Sequence, residues 1–272
     1  MANVPLQHFG CLMLHNTYER AGFLDPGTGR IDLAAVYDAG IRGIELDLVQ
    51  APGGREWCVK HGGGFSPDVP LLSGYLQDLT AWQTAAGAAH EPFVVCLDLK
   101  GRQTPEKPFP ERLEEYLRAA LGPARLFAPR DVMAWPGDLM QTMMTQGWPF
   151  LSDLHGEMIF LLSGDHDGSK QAYAARSRTN TCFVDYGSFG AITTCEGDRI
   201  VLNDSWHNVQ GALLRERTDW AMRRRAILTR VYYVNSATAW SGVAGRVNIV
   251  ATDKPELMNP AGWWPLTRHP GV

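Results

Sequence analysis

Residues 40–64 read GIRGIELDLVQAPGGREWCVKHGGG. Ile41, Ile44, Leu46 and Leu48 are interleaved with Arg42, Glu45 and Asp47, a period of two that places both carboxylates on one face of a short strand. Ala51-Pro52-Gly53-Gly54 supplies turn chemistry. Residues 56–61, with Trp57, Cys58 and Val59 at the centre, then read as a second strand folding back along the first. The return brings His61 to the rim that carries Glu45 and Asp47, so two carboxylates and an imidazole share one small space. A solvated Glu-x-Asp strand edge is the plainer alternative, because charged side chains are mostly exposed.

Outward from this hairpin, strand-like and helix-like segments alternate. Residues 8–14 form a short apolar run ending at His15-Asn16, and residues 32–39 read as a short helix stopped by Gly40. Leu72, Leu76, Leu79 and Trp82 recur at helical spacing within residues 71–86. Residues 93–97 are a near-continuous apolar strand running into Asp98-Leu99-Lys100, the kind buried on both faces of a parallel sheet. Pro110 and Gly122 bracket a helix over 110–121.

The second half predicts a short strand over 128–135, a turn-rich 146–156, a clear strand over 157–162, a helix over 169–176 and a brief strand over 181–184. Residues 204–225 are expected to be largely helical, and 227–234 and 246–251 to be the last two strands. Seven or eight strands separated by helices define the α/β class, and right-handed crossovers make closure into a barrel natural. A doubly wound open sheet is the alternative, disfavoured because no Gly-rich dinucleotide loop follows the first strand. With no repeat or linker to divide it, the chain is expected to be one barrel domain over 1–272.

The chain has 272 residues, 45% apolar and 20% charged, with a formal charge of -4. That length suits a single α/β barrel, and the acidic balance argues against a nucleic-acid partner. No apolar run reaches the roughly 20 residues of a membrane span. The N-terminal MANVPLQHFGCLML lacks the features of a secretory signal. A cytoplasmic protein and a mature secreted chain with a new Met1 both fit, and the secreted form is favoured. Cys11, Cys58 and Cys96 sit in apolar contexts suited to buried thiols, whereas Cys182 and Cys195 flank a Gly-rich stretch and can pair in an oxidising compartment.

Four strand ends carry polar residues of one kind: His15 and Asn16 after the first, Glu45 and Asp47 on the second, His61 on its hairpin partner and Asp98 after the third. In a parallel barrel the C-terminal strand ends converge on one mouth. Glu45, Asp47, Asp98 and the Asn16 amide oxygen form an all-oxygen set that suits calcium or magnesium better than zinc. Two histidines left free beside a hard divalent ion suggest phosphoryl chemistry; a zinc hydrolase would need them as ligands, and no HExxH spacing supports that. Lys100, on the same face as Asp98, is placed to reach a phosphate or to be solvated.

The phrases LHNTYER, GIRGIELDLV, WCVKHGG, FVVCLDLK, GWPFLSDLHGEMIFLL and VNIVATD, in this order from residue 14 to about 253, resemble the calcium-dependent, bacterial-type phosphatidylinositol-specific phospholipase C family. The resemblance implies a distorted TIM barrel of the PLC-like phosphodiesterase type, His15 and His61 as the catalytic pair, and Asn16, Glu45, Asp47 and Asp98 as metal ligands. It implies attack of an inositol hydroxyl on the phosphodiester of an inositol phospholipid or a soluble inositol phosphodiester. The family's eukaryotic relatives place lysines after the strand that corresponds to 157–162; this chain has Leu161, Leu162 and Ser163 there, so recognition of a phosphorylated headgroup is not implied. Arg230, Tyr232, Asn235 and Trp240 are candidates for lining the headgroup pocket. Trp148, Trp206, Trp263 and Trp264 are candidates for seating the mouth on a lipid surface. A glycerophosphodiester phosphodiesterase, a phospholipase D-like enzyme and a noncatalytic headgroup-binding barrel are the competing readings.

Overall fold

The structure is a computed structural model that describes residues 4–100, 109–132, 138–190, 197–259 and 261–267. In chain order its strands are β1 (Phe9–Leu14), β2 (Gly43–Gln50), β3 (Trp57–Val59), β4 (Phe93–Lys100), β5 (Met158–Gly164), β6 (Cys182–Asp185), β7 (Arg199–Ser205), β8 (Leu228–Tyr232), β9 (Ile249–Thr252) and β10 (Trp264–Pro265). The helices are α1 (Leu33–Asp38), α2 (Leu72–Ala86), α3 (Phe109–Leu121), α4 (Pro129–Val132), α5 (Leu139–Gln146), α6 (Asp167–Ala174), α7 (Ala212–Arg224) and α8 (Ala237–Val243).

Strands β1, β2 and β4 to β9 are parallel and hydrogen-bonded in the order β1-β9-β8-β7-β6-β5-β4-β2, and a β1–β2 pairing closes the ring. The fold is therefore a TIM-type α/β barrel. Its closing seam is short, with only Met13 opposite Gly43 and Leu14 opposite Ile44. A side chain at Gly43 would stand 3.0 Å from both the Val94 carbonyl and the Met13 methyl, so glycine lets the seam close. The ring is distorted again where the β6–β7 register shifts between Val184 and Asp185.

Alternation along the strands sorts the side chains. Ile44, Leu46 and Leu48 join the apolar shell under the helices, whereas Glu45 and Asp47 point into the barrel and are also buried. In the β2–β4–β5 register Asp47 lies beside Asp98 and Asp98 beside Ser163, so these three occupy one level near the C-terminal ends. The hairpin partner β3 runs antiparallel to β2 with Val59 opposite Leu48, as the Pro-Gly-Gly turn predicts.

Residues 128–135 were expected to be a strand; Pro129–Val132 is instead the helix α4, Pro129 supplying the preset φ that suits a helix start, and 133–135 lie outside the described residues. The expected helix over 204–225 begins only at Ala212, because Asp204 and Ser205 complete β7, whose Ile200-Val201-Leu202 run is a buried strand without polar alternation. Cys182 carries a free, buried thiol, and its expected partner Cys195 lies outside the described residues. Among the described residues no helix is long and apolar enough to cross a membrane.

Three of the four tryptophans expected at the mouth are at the opposite end. The Trp148 indole N–H donates to the Ala226 carbonyl before β8, and that of Trp263 to the Pro92 carbonyl before β4. Trp264 lies over Gly10 at the start of β1. Each fills space beneath the barrel floor, where a large ring with one donor can be both buried and satisfied. Trp206, after β7, packs its ring against Gly242 of α8.

Candidate active site

The mouth holds a cavity of about 230 Å³ lined by His15, Glu45, His61, Asp98, Lys100 and, across the opening, Tyr232 and Tyr233. Residues from β1, β2, β3, β4 and β8 thus meet as the strand ends predict. One carboxylate oxygen from each of Glu45, Asp47 and Asp98 lies within 4.8 Å of the others. Glu45 Oε2 and Asp47 Oδ1 are buried without a hydrogen bond. An orphaned buried acceptor is costly. Three converging carboxylates, with buried oxygens of Glu45 and Asp47 left without a hydrogen bond, fit an oxygen-loving divalent cation such as calcium.

The electrostatics show the strain of that convergence. Burial, reinforced by the Glu45 charge, pushes the Asp98 carboxyl up to about 8 despite Lys100 nearby. Burial and Glu45 likewise raise Asp47 above the ordinary carboxylate range. Burial also opposes ionisation of Glu45, but the Arg230 guanidinium, with His15 and Lys100, outweighs it and holds Glu45 below the usual range. Lys100 Nζ stands 3.1 Å from Asp98 Oδ1 and 3.5 Å from Asp47 Oδ2. Burial disfavours its charge, yet the two aspartates override this and raise it.

The two imidazoles are held by carboxylates in different settings. His15 is almost enclosed, its side chain 6% exposed, with Nδ1 2.9 Å from Asp253 Oδ1 and Nε2 3.7 Å from Glu45 Oε2. Asp253 is fixed in turn by Arg20 Nη2 at 2.5 Å and Asn235 Nδ2 at 2.6 Å. These donors and the His15 contact outweigh burial and keep its carboxyl low. His61 is 52% exposed, with Nδ1 3.0 Å from Asp47 Oδ2. Binding a histidine through Nδ1 to a carboxylate orients the ring and leaves Nε2 for chemistry.

Local sequence explains the placement. Asn16 takes a left-handed turn, φ 47°, directly after His15, a conformation asparagine tolerates better than most residues. Thr17 Oγ1 donates to the Leu14 carbonyl and accepts from the Glu45 N–H, clamping this loop to β2. The Asn16 side-chain Oδ1 accepts from the Tyr18 hydroxyl at 3.3 Å. At the end of β5, Gly164 has φ +110° and leaves no room for a side chain beside the Leu99 backbone and Asp98.

Of the residues expected to line the pocket, Lys100 and Tyr232 do; Arg230 and Trp240 are not among its walls. Arg230 is 1% exposed, one inward position below Tyr232, where its Nη2 pairs with Glu45 Oε1 at 2.9 Å and its Nη1 donates to Asn203 Oδ1 at 2.7 Å. It underpins the site from beneath. Trp240 packs edge-on against Trp264, 5.4 Å between centroids, near the far end of β1. Asn235 reaches the site through Asp253.

Several participants carry no sequence signal of their own. Asp253 ends the VNIVATD phrase and Arg20 the LHNTYER phrase, and neither stands in a pattern that marks it as a site residue. On the other wall, Asp185 accepts from Lys170 Nζ at 2.5 Å, Ser163 Oγ at 2.7 Å and Asn203 Nδ2 at 2.8 Å. Lys170 is buried, and Asp185 is the carboxylate its ammonium pairs with.

Residues 64–190 match the sequence model of the phosphoinositide phospholipase C, Ca2+-dependent, family; the matched stretch contains Asp98 and Lys100, while His15, Glu45, Asp47 and His61 precede it. No curated protein matches the chain in sequence. The calcium-dependent phosphoinositol-specific phospholipase C of a Gram-negative Pseudomonas sp., solved also as a myoinositol complex, superposes with a TM-score of 0.74 at 19% identity, covering 97% of this chain and 96% of that one. The Ca2+-dependent phosphatidylinositol-specific phospholipase C of Streptomyces antibioticus gives 0.74 at 17% identity over 97% and 99%. A glycerophosphodiester phosphodiesterase from Agrobacterium tumefaciens gives 0.53 at 15% identity over 92% and 99%. At these identities the likeness is one of fold. The match over 64–190 bears out the resemblance read from the sequence.

Proposed function

We propose that this protein is a calcium-dependent phosphodiesterase that cleaves phosphatidylinositol, or a soluble glycerophosphoinositol-type diester. The neighbouring inositol hydroxyl attacks phosphorus, giving a cyclic inositol phosphate and releasing the lipid or glycerol alcohol. The observation that carries the reading is the meeting of two carboxylate-bound imidazoles with three converging carboxylates at one small cavity.

Glu45, Asp47 and Asp98, with the Asn16 amide oxygen, would hold calcium, which when bound lowers the pKa of the attacking hydroxyl and offsets charge on the phosphate. Glu45 or Asp98 accepts the hydroxyl proton. His61, the solvent-facing imidazole, delivers a proton from Nε2 to the leaving oxygen, while Asp47 holds its Nδ1. His15, in its imidazolium form, meets the negative charge growing on the phosphoryl oxygens; Asp253 stabilises that form and sets the ring. Lys100 supplies a second positive charge at the cavity wall.

Phosphorus NMR of the products from phosphatidylinositol and calcium tests the reading. A five-membered cyclic phosphate is expected. Glycerol 3-phosphate from a glycerophosphodiester would instead favour the glycerophosphodiesterase reading, to which the Agrobacterium fold likeness lends weight. Binding of inositol lipid vesicles without turnover would identify a noncatalytic barrel. The H61A variant should lose roughly a hundredfold to ten-thousandfold in kcat with an unchanged circular dichroism spectrum; an active variant removes His61 from the mechanism.

A further inference from the structure

Along β8 the inward positions are Arg230 and Tyr232, while Val231 faces the apolar shell. Continued alternation would send Tyr233 outward too. Its backbone turns instead to φ +59°, a left-handed conformation in which a bulky side chain is an outlier. The ladder to β9 is interrupted there: Val231 lies opposite Val250, and it is Val234 whose N–H reaches the Ala251 carbonyl at 3.2 Å. An irregularity of this kind beside a site re-aims a side chain. Both tyrosines consequently line the cavity.

The re-aimed ring meets His15. Its centroid is 4.6 Å from the imidazole centroid at an interplanar angle of 63°, while Tyr232 lies nearly parallel to the imidazole at 5.7 Å. The His15 ring is thus bounded by two aromatic neighbours, with Asp253 on Nδ1. Tyr233 is 36% exposed, so core packing does not account for holding it on unfavourable backbone. Strain of this sort persists where the surrounding structure over-determines it, and it gathers at working sites.

The geometry points to Tyr233 as a positioning residue for His15: the left-handed turn after β8 directs its ring onto the imidazole and restricts the imidazole to the orientation used in catalysis. This rests on the proposed function for its catalytic consequence, but the aiming and the restriction can be read without turnover.

The test compares Y233F, Y233A and Y233G in the full chain. Steady-state kinetics on phosphatidylinositol with calcium should show Y233F close to wild type. Y233A and Y233G should lose about tenfold or more in kcat with KM within about twofold, because an aromatic ring and not the hydroxyl orients His15. In the substrate-free protein, the His15 imidazole resonances in 15N–1H spectra should be single and sharp for wild type and Y233F, and broadened or split for the other two. Thermal unfolding should rank Y233G above Y233A, the reverse of the usual order, because only glycine takes a left-handed turn freely. Wild-type kcat in Y233A and Y233G, a loss confined to KM, unbroadened His15 resonances, or Y233A at least as stable as Y233G would each overturn the inference. If wild type itself turned over no inositol diester, the proposed function would fall instead, and the resonances and the unfolding order would still decide whether Tyr233 restrains His15.

Discussion

Asp98 offers the sharpest test of the metal site. Its pKa, raised to about 8 by burial and the Glu45 charge, means that in the metal-free protein at pH 7 roughly nine-tenths of the molecules carry a proton on it. A cation that takes Asp98 as a ligand must displace that proton. Calcium binding is therefore expected to release about 0.9 proton at pH 7, falling to about 0.1 at pH 9. The ionised fraction is ~0.01 at pH 6 and ~0.5 at pH 8, so apparent calcium affinity should rise about 50-fold over that interval. Isothermal titration calorimetry in buffers of different ionisation enthalpy reads proton release directly. D98N should abolish the release and flatten the pH dependence while weakening binding at pH 8. Stability of the calcium-free protein runs the opposite way: the folded value lies above the unfolded value of about 3.9, so the contribution from Asp98 is fully present below pH ~4 and is lost as pH rises through ~8. Calcium affinity that is constant from pH 6 to 8, with no proton released, would refute the reasoning.

Three further outcomes follow from the site's supports. D253N leaves the shape but removes the charge that holds His15 and Arg20, so kcat should fall roughly tenfold to hundredfold with little change in KM in steady-state assays. R230M strands Glu45 without its buried partner and should destabilise the metal-free protein by about 3–5 kcal/mol in urea titrations; saturating calcium should recover part of that loss. In G164A the new methyl would stand 2.3 Å from the Leu99 carbonyl and 2.8 Å from Asp98 Oδ1 at a φ of +110°, so calorimetry should find weaker calcium binding together with a lower Tm.

Much of the molecule is legible from local pattern. The Glu-x-Asp alternation of β2, the Pro-Gly-Gly turn that returns His61, the apolar run of β4 and the His-Asn step after β1 depend on interactions within a few residues, and each is where the pattern puts it. Barrel closure adds only the rule that C-terminal strand ends share a mouth. The tertiary structure decided which inward residues reach the mouth and which lie a layer below, and so it moved Arg230 from the pocket wall to a position under Glu45. It decided that Trp148, Trp263 and Trp264 sit beneath the floor, since nothing local says which end of a barrel a loop tryptophan faces. It also joined His15 to Asp253, 238 residues away, and turned Tyr233 against the alternation of its own strand. Contacts of that kind exist only once the ring is closed, because no short stretch of sequence contains both partners.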